Sequence, residues 1–194
     1  MIDFDELNLP DVLKGITSTT EDLELTMRAD MRFGSLLRVL AASTAGGRIL
    51  QLRAGSGLLT AWLLDGMPAD GTLLAGEPDA ELHRVAERFL GRDGRLELRG
   101  GTPDELLDGA DAAFSLVVCN RPADCAGRLD EIVRALRPGG LLVIGGVTDG
   151  PDASGSGSAA AAELADGLAA RQELRSSRLD WAAGVLLAAR RGSR

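Results

Sequence analysis

Ile49-Leu50-Gln51-Leu52-Arg53-Ala54-Gly55-Ser56-Gly57-Leu58-Leu59-Thr60 is an apolar run that breaks into a glycine-rich turn and resumes as a helical pattern. Such a strand–turn–helix lets a ligand approach the backbone at the glycines and offers it the free N–H groups of a helix N-terminus. Gly-x-Gly alone is a weak signal, because ordinary strand–helix turns use it too. Two features sharpen it. Glu77 lies twenty residues after Gly57, at the end of the next apolar run, where a carboxylate accepts both hydroxyls of a ribose. Thr60 stands where the dinucleotide fingerprint has its third glycine, which points away from NAD and towards another adenosine-bearing ligand without a pyrophosphate. A plain turn followed by a surface glutamate is the competing reading.

The alternation extends outward from this turn. Arg48 to Leu52, Gly71 to Ala75, Leu96 to Arg99, Phe114 to Cys119, Leu141 to Ile144 and Gly184 to Ala189 read as strands. Leu58 to Asp65, Asp79 to Leu90, Pro103 to Leu107, Arg128 to Leu136 and Ala161 to Ala170 read as helices. Thr102-Pro103-Asp104-Glu105 is a helix start, with Thr as cap, Pro at the first position and Glu three residues on. Apolar strands joined by helices imply parallel βαβ units with right-handed crossovers, hence an α/β chain with a doubly wound sheet. Residues 1–44 are expected to form N-terminal helices, the last with Leu36, Leu37, Val39 and Leu40 on its apolar face. Residues 45–148 then hold the nucleotide-binding core, 149–160 (DGPDASGSGSAA) a mobile surface loop, and 161–194 a C-terminal helix and strands. One domain spanning 1–194 is expected, without internal repeats.

Composition narrows the function classes. The 194 residues are 45% hydrophobic and 26% charged, which is a globular balance. Twenty-nine acids against 21 bases give a net charge of −8, which argues against a nucleic-acid partner. Two cysteines, Cys119 and Cys125, are too few for a disulfide scaffold. The opening MIDFDELNLP has neither the basic nor the apolar region of a signal peptide, and no apolar run is long enough to span a bilayer. A cytoplasmic protein without membrane attachment is expected.

On these residues the chain resembles the class I S-adenosylmethionine (SAM) methyltransferases, in particular the catechol O-methyltransferase-like family. The family's first motif matches Ile49 to Gly57, its ribose acid Glu77, and its turn into the fifth strand Arg137-Pro138-Gly139-Gly140. Its N-terminal methionine and glycine match Met27 and Gly34, and its closing strand matches Gly184 to Ala189. The resemblance runs from about Met27 to Arg191. It implies a seven-stranded, mostly parallel, Rossmann-like sheet, SAM as cofactor, a small-molecule substrate and a homodimer. The cofactor-binding residues it implies are Gln51, Gly55, Gly57, Glu77, Thr102, Pro103 and Asn120.

The departures from that family are as informative. Gln51 stands where the family is usually acidic, Arg53 where it has a glycine that leaves room for the cofactor, and Leu59 where it often has serine. Arg53 has three outcomes open to it: to swing into solvent, to pair with an acid such as Glu77, or to fill part of the pocket. The family's divalent-metal ligands fall on Asn120, Gly145 and Gly146, and its catalytic lysine on Ala123. One amide and two glycines cannot hold a hard cation, so no divalent metal is expected.

No catalytic residue is nominated. His83, the only histidine, reads as a helix-surface residue. Asp149 and Asp180 are ordinary surface carboxylates as readily as cleft residues, and Cys119 reads as a buried, inert thiol. Trp62 reads as core packing with its N–H partnered at the edge, whereas Trp181 is equally a substrate wall or a dimer contact. The leading reading is SAM-dependent O-methylation of a small molecule without a metal. The alternative is a degenerate member that serves as a binding or partner subunit, and an enzyme of another class using the same cleft is a third.

Overall fold

Strand β1 (Arg48–Gln51) lies inside a seven-stranded sheet with the order β3-β2-β1-β4-β5-β7-β6. In chain order the elements are α1 (Leu13–Asp22), α2 (Met31–Ala42), β1, α3 (Leu58–Gly66), β2 (Thr72–Gly76), α4 (Ala80–Leu90) and β3 (Leu96–Arg99). There follow α5 (Pro103–Leu107), β4 (Phe114–Cys119), α6 (Pro122–Cys125), α7 (Leu129–Ala135), β5 (Leu136–Gly145), α8 (Ser156–Ala170), β6 (Leu174–Leu179) and β7 (Val185–Arg190). This computed structural model describes residues 8–25, 29–147 and 156–192, without the side chains of 156–158. Met27, Asp149 and the first seven residues of the expected 149–160 loop lie outside the described residues.

Strands β1 to β5 pair in parallel, and β7 runs antiparallel between β5 and β6. The expected α/β class and doubly wound, mostly parallel, seven-stranded sheet are therefore what the chain forms. The period of two along each strand divides the core. Ile49, Leu116, Val118, Val143 and Val185 pack on the face that α1 to α4 cover, through residues such as Ile16, Leu37, Trp62 and Val85. Leu50, Val117, Leu142, Ile144 and Leu186 point the other way, onto Leu106, Ile132, Leu164 and Leu168 of α5, α7 and α8. Both faces are buried, which is why the strands read as unbroken apolar runs.

The chain leaves β1 for β2 and β3 on one side, then returns to lay β4 on the other. The carboxyl ends of β1 and β4 thus flank the point where the strand order reverses, where open α/β sheets hold their ligands.

Three elements differ from expectation. Helix α8 begins at Ser156, so residues 156–160 are helical rather than part of the loop. Its Ala161, Leu164 and Leu168 are buried, and they anchor a helix whose first turn is weak in propensity. Strand β5 starts at Leu136, and the Arg137–Gly140 turn is an irregularity within it: Leu136 pairs with Phe114 before the register shifts to Leu116–Leu141. Strand β6, whose segment Leu-Arg-Ser-Ser-Arg-Leu carries no apolar pattern, is defined by its full ladder with β7. Among the described residues no helix is long and apolar enough to cross a membrane.

Candidate active site

The turn after β1 places its glycines as the sequence requires. Gly55 has φ 60° and Gly57 φ 96°, and Gly57 caps α3 from the left-handed region. Ser56, between them, is fully buried, and its hydroxyl has no hydrogen-bond partner among the described residues.

Glu77 follows β2 and is fully buried. Its Oε2 accepts the Gly55 N–H at 2.7 Å and its Oε1 the Asp79 N–H at 2.9 Å. The acid and the glycine turn, twenty-two residues apart, are thus joined directly. The reading of Glu77 as a surface glutamate beside a plain turn is corrected by this burial. Asp79 in turn caps α4 by accepting from the N–H groups of Glu81 and Leu82, which fixes the chain just beyond the carboxylate.

Of the three outcomes open to Arg53, the structure adopts the pairing. Its Nε donates to Asp124 Oδ2 at 3.0 Å, and its Nη1 reaches Glu77 Oε1 at 3.4 Å. The guanidinium therefore bridges the segments after β2 and β4, across the end of β1. Gln51 is fully buried and turned inward: it accepts from the Thr60 hydroxyl at 2.8 Å and donates to the Arg53 carbonyl at 3.2 Å. Each end of its amide thereby makes one hydrogen bond within the chain.

On the β3 side, Thr102 and Pro103 open α5 with a reciprocal capping box. Thr102 Oγ1 accepts the Glu105 N–H, and Glu105 Oε2 accepts the Thr102 N–H. That hydrogen bond holds the Glu105 carboxyl below its usual range. On the β4 side, Asn120 is half-buried and its Oδ1 has no partner among the described residues. The Gly55–Gly57 turn, Glu77 and Asn120 thus gather around the ends of β1, β2 and β4, with Thr102 and Pro103 at the far end of β3.

The positions where the resemblance would put a metal carry no carboxylate. Gly145 cannot carry any side chain without rearrangement, since a Cβ there would stand 2.6 Å from the ring of Phe33 on α2. Gly146 has φ 70°, and a Cβ on it would meet the Asn120 carbonyl at 3.1 Å. Among the described residues no three His, Cys, Asp or Glu side chains gather in a group that could hold a metal ion.

The remaining candidates are placed as follows. His83 sits on α4, half-buried, with Nδ1 unpartnered among the described residues. Cys119 and Cys125 are both fully buried, and burial pushes the Cys125 thiol well up, reinforced by a hydrogen bond with Cys119. The Cys119 thiol also donates to the Arg121 carbonyl. Trp62 is fully buried, but the expected partner for its N–H is not found among the described residues; the Arg38 guanidinium lies 4.7 Å over its ring instead. Trp181 is 37% exposed in the β6–β7 turn, beside an exposed Asp180. Sequence reasoning missed Asp124, the second anchor of Arg53. The only available signal was an acid following β4 opposite an unexpected cation after β1.

No family model matches the chain. A curated protein of Mycolicibacterium vanbaalenii named "Putative O-methyltransferase" is 34% identical over 168 residues, spanning 81% of this chain and 74% of its own length. Among solved structures, an O-methyltransferase of Klebsiella pneumoniae, likewise described as putative, aligns with TM-score 0.81 and 25% identity over 94% of this chain and 90% of its own. TomG of Streptomyces achromogenes, an O-methyltransferase involved in tomaymycin synthesis and solved in complex with SAM, aligns with TM-score 0.78 and 23% identity over the same shares.

Proposed function

We propose that this chain, which belongs to the O-methyltransferase family of its curated relatives, methylates an oxygen of a small molecule with SAM as donor and without a divalent metal. The observation that carries the reading is the junction of Glu77 with the Gly55–Gly57 turn at the sheet's switch point, beside the unpaired Ser56 hydroxyl. The residues present fit the cofactor in kind. Glu77 supplies an acceptor for ribose hydroxyls, and Gly55 and Gly57 allow close approach to the backbone. Ser56 and Asn120 carry buried polar atoms without a partner among the described residues, and Thr102 and Pro103 border the site from β3. Gln51, held by Thr60 and the Arg53 carbonyl, keeps one N–H and one lone pair that those two bonds do not use, and it lies at the start of the turn.

When bound, SAM supplies an electrophilic methyl group. Transfer then depends chiefly on alignment and exclusion of water, so a site without a metal is chemically sufficient for an acidic or already nucleophilic hydroxyl or carboxylate. The blocked Cβ positions after β5 support the metal-free reading. The acidic net charge supports a small-molecule acceptor rather than a nucleic acid. A cytoplasmic homodimer folded as one domain completes the reading.

Calorimetric titration with SAM and S-adenosylhomocysteine, with Mg²⁺ and then with EDTA, tests it. Binding that EDTA leaves unchanged, followed by EDTA-insensitive methyl transfer to a panel of phenols and carboxylic acids, is the expected result. Loss of turnover in EDTA would overturn the metal-free mechanism. A folded protein that binds neither compound would favour the partner-subunit alternative.

A further inference from the structure

Arg53 occupies a position that decides how the crevice opens. Glu77 has a limited set of acceptor sites: its two oxygens offer about four lone-pair directions. Two are taken by the N–H groups of Gly55 and Asp79, which belong to the turn itself. A third, on Oε1, faces the Arg53 guanidinium at 3.4 Å. A ribose that presents two hydroxyls to this carboxylate therefore needs the site Arg53 holds. The contact to Glu77 is the longer of the two Arg53 makes; the shorter, at 3.0 Å, is to Asp124 on α6. The Glu77 side chain is fully buried while that of Arg53 is 20% exposed, so the guanidinium is the charged partner of Glu77 that reaches solvent.

We propose that Arg53 is a latch across the cofactor crevice: it competes with the cofactor's ribose for Glu77, and Asp124 retains it when the ribose displaces it. The proposal rests on the SAM reading above and makes Arg53 and Asp124 determinants of cofactor affinity. Binding becomes an exchange of one partner of Glu77 for another. The apparent affinity is lowered by the fraction of time the latch stands open, so a latch open about one tenth of the time costs about tenfold. Asp124 sets that fraction, because the pull it exerts on the guanidinium competes with that of Glu77. Arg121, 3.8 Å from the same Asp124 oxygen, draws on the same acceptor.

The test is calorimetric titration of the intact chain with S-adenosylhomocysteine, for wild type, Arg53→Met, Asp124→Asn and the double variant, each checked by thermal melting. Methionine keeps much of the side-chain bulk and removes the charge. Arg53→Met is expected to bind about tenfold more tightly than wild type while melting lower; a merely structural arginine would lose both. Asp124→Asn removes the charge that competes with Glu77 for Arg53 and is expected to bind a few-fold more weakly, and the double variant to match Arg53→Met. Arg53→Met binding no tighter than wild type, or Asp124→Asn binding more tightly, would overturn the latch while leaving the SAM reading intact. Folded wild type and folded Arg53→Met that both fail to bind would overturn the SAM reading and the latch with it. Should Arg53→Met not fold, Asp124→Asn alone decides: weakening supports the latch, and unchanged or tighter binding overturns it.

Discussion

Gly57 shows how much one residue constrains the site. Its φ of 96° is strained for any L side chain, and a Cβ there would lie 2.8 Å from Leu90 Cδ1 and 3.3 Å from Ala86 Cβ. Gly57→Ala is expected to cost about 2 kcal/mol and lower the melting temperature by about 4–8 °C, read by calorimetric melting. An unchanged melt would mean that the turn relaxes without cost. The glycine turn and the position of Glu77 after the next strand are legible in the sequence because both are set by local spacing along one βαβ unit, whereas the bond that joins them is not. Nor is the fate of Arg53. Its stronger partner, Asp124, lies seventy-one positions away, and which of three conformations wins depends on how β4 docks beside β1. Thr60 and Gln51 illustrate the same limit. The resemblance assigns Gln51 to the cofactor, yet the turn from β1 into the first turn of α3 brings it onto Thr60.

At the scale of elements, the β6–β7 turn stores conformational strain. Ala182, Ala183 and Gly184 follow one another with φ of 48°, 57° and 77°. Two alanines in the left-handed region persist only because the ends are fixed: Gly184 N–H bonds the Trp181 carbonyl, Val147 N–H bonds the Gly184 carbonyl, and Ala182 is buried in the core. Ala183→Gly is expected to raise stability by about 0.5–1 kcal/mol, visible as a melt higher by roughly 2 °C. A lower melt would show that the unfolded chain's entropy outweighs the strain. The elements most legible in sequence carry their own signals: the Thr102–Glu105 capping box is present as read, and β4 is buried at every position. Strand β6 and the first turn of α8 had no such signal. Their conformations are imposed by β7 and by the buried residues that follow, and neither is encoded in their own apolar period.

For the molecule as a whole, class and topology followed from the alternation of apolar strands with helices, and what pattern could not supply was charge pairing across the surface. The Asp93 carboxyl is held below its usual range by its hydrogen bond with Arg95, and that of Asp104 by Arg128. At Asp30 burial acts in the opposite direction and is outweighed by the bonds from Arg32. A carboxyl whose folded value lies below its unfolded one adds stability above the ordinary carboxylate range and loses it as pH falls through the folded value. Melting temperature is therefore expected to vary little between about pH 7 and pH 5 and to fall below about pH 4. Because Asp104 is exposed and Asp30 and Asp93 partly so, the fall should be shallower in high salt. A melt that declines steeply already above pH 5 would assign acid sensitivity to other groups.

The ring of Phe33 against Gly145 carries a consequence for anyone who would redesign this protein. Two positions more than a hundred residues apart in sequence compete for one volume, so they form a single coupled variable. A carboxylate at Gly145 requires that the Phe33 ring on α2 move or be replaced by a smaller side chain. A route from this chain to a side chain at that position therefore runs through paired substitution of Phe33 and Gly145.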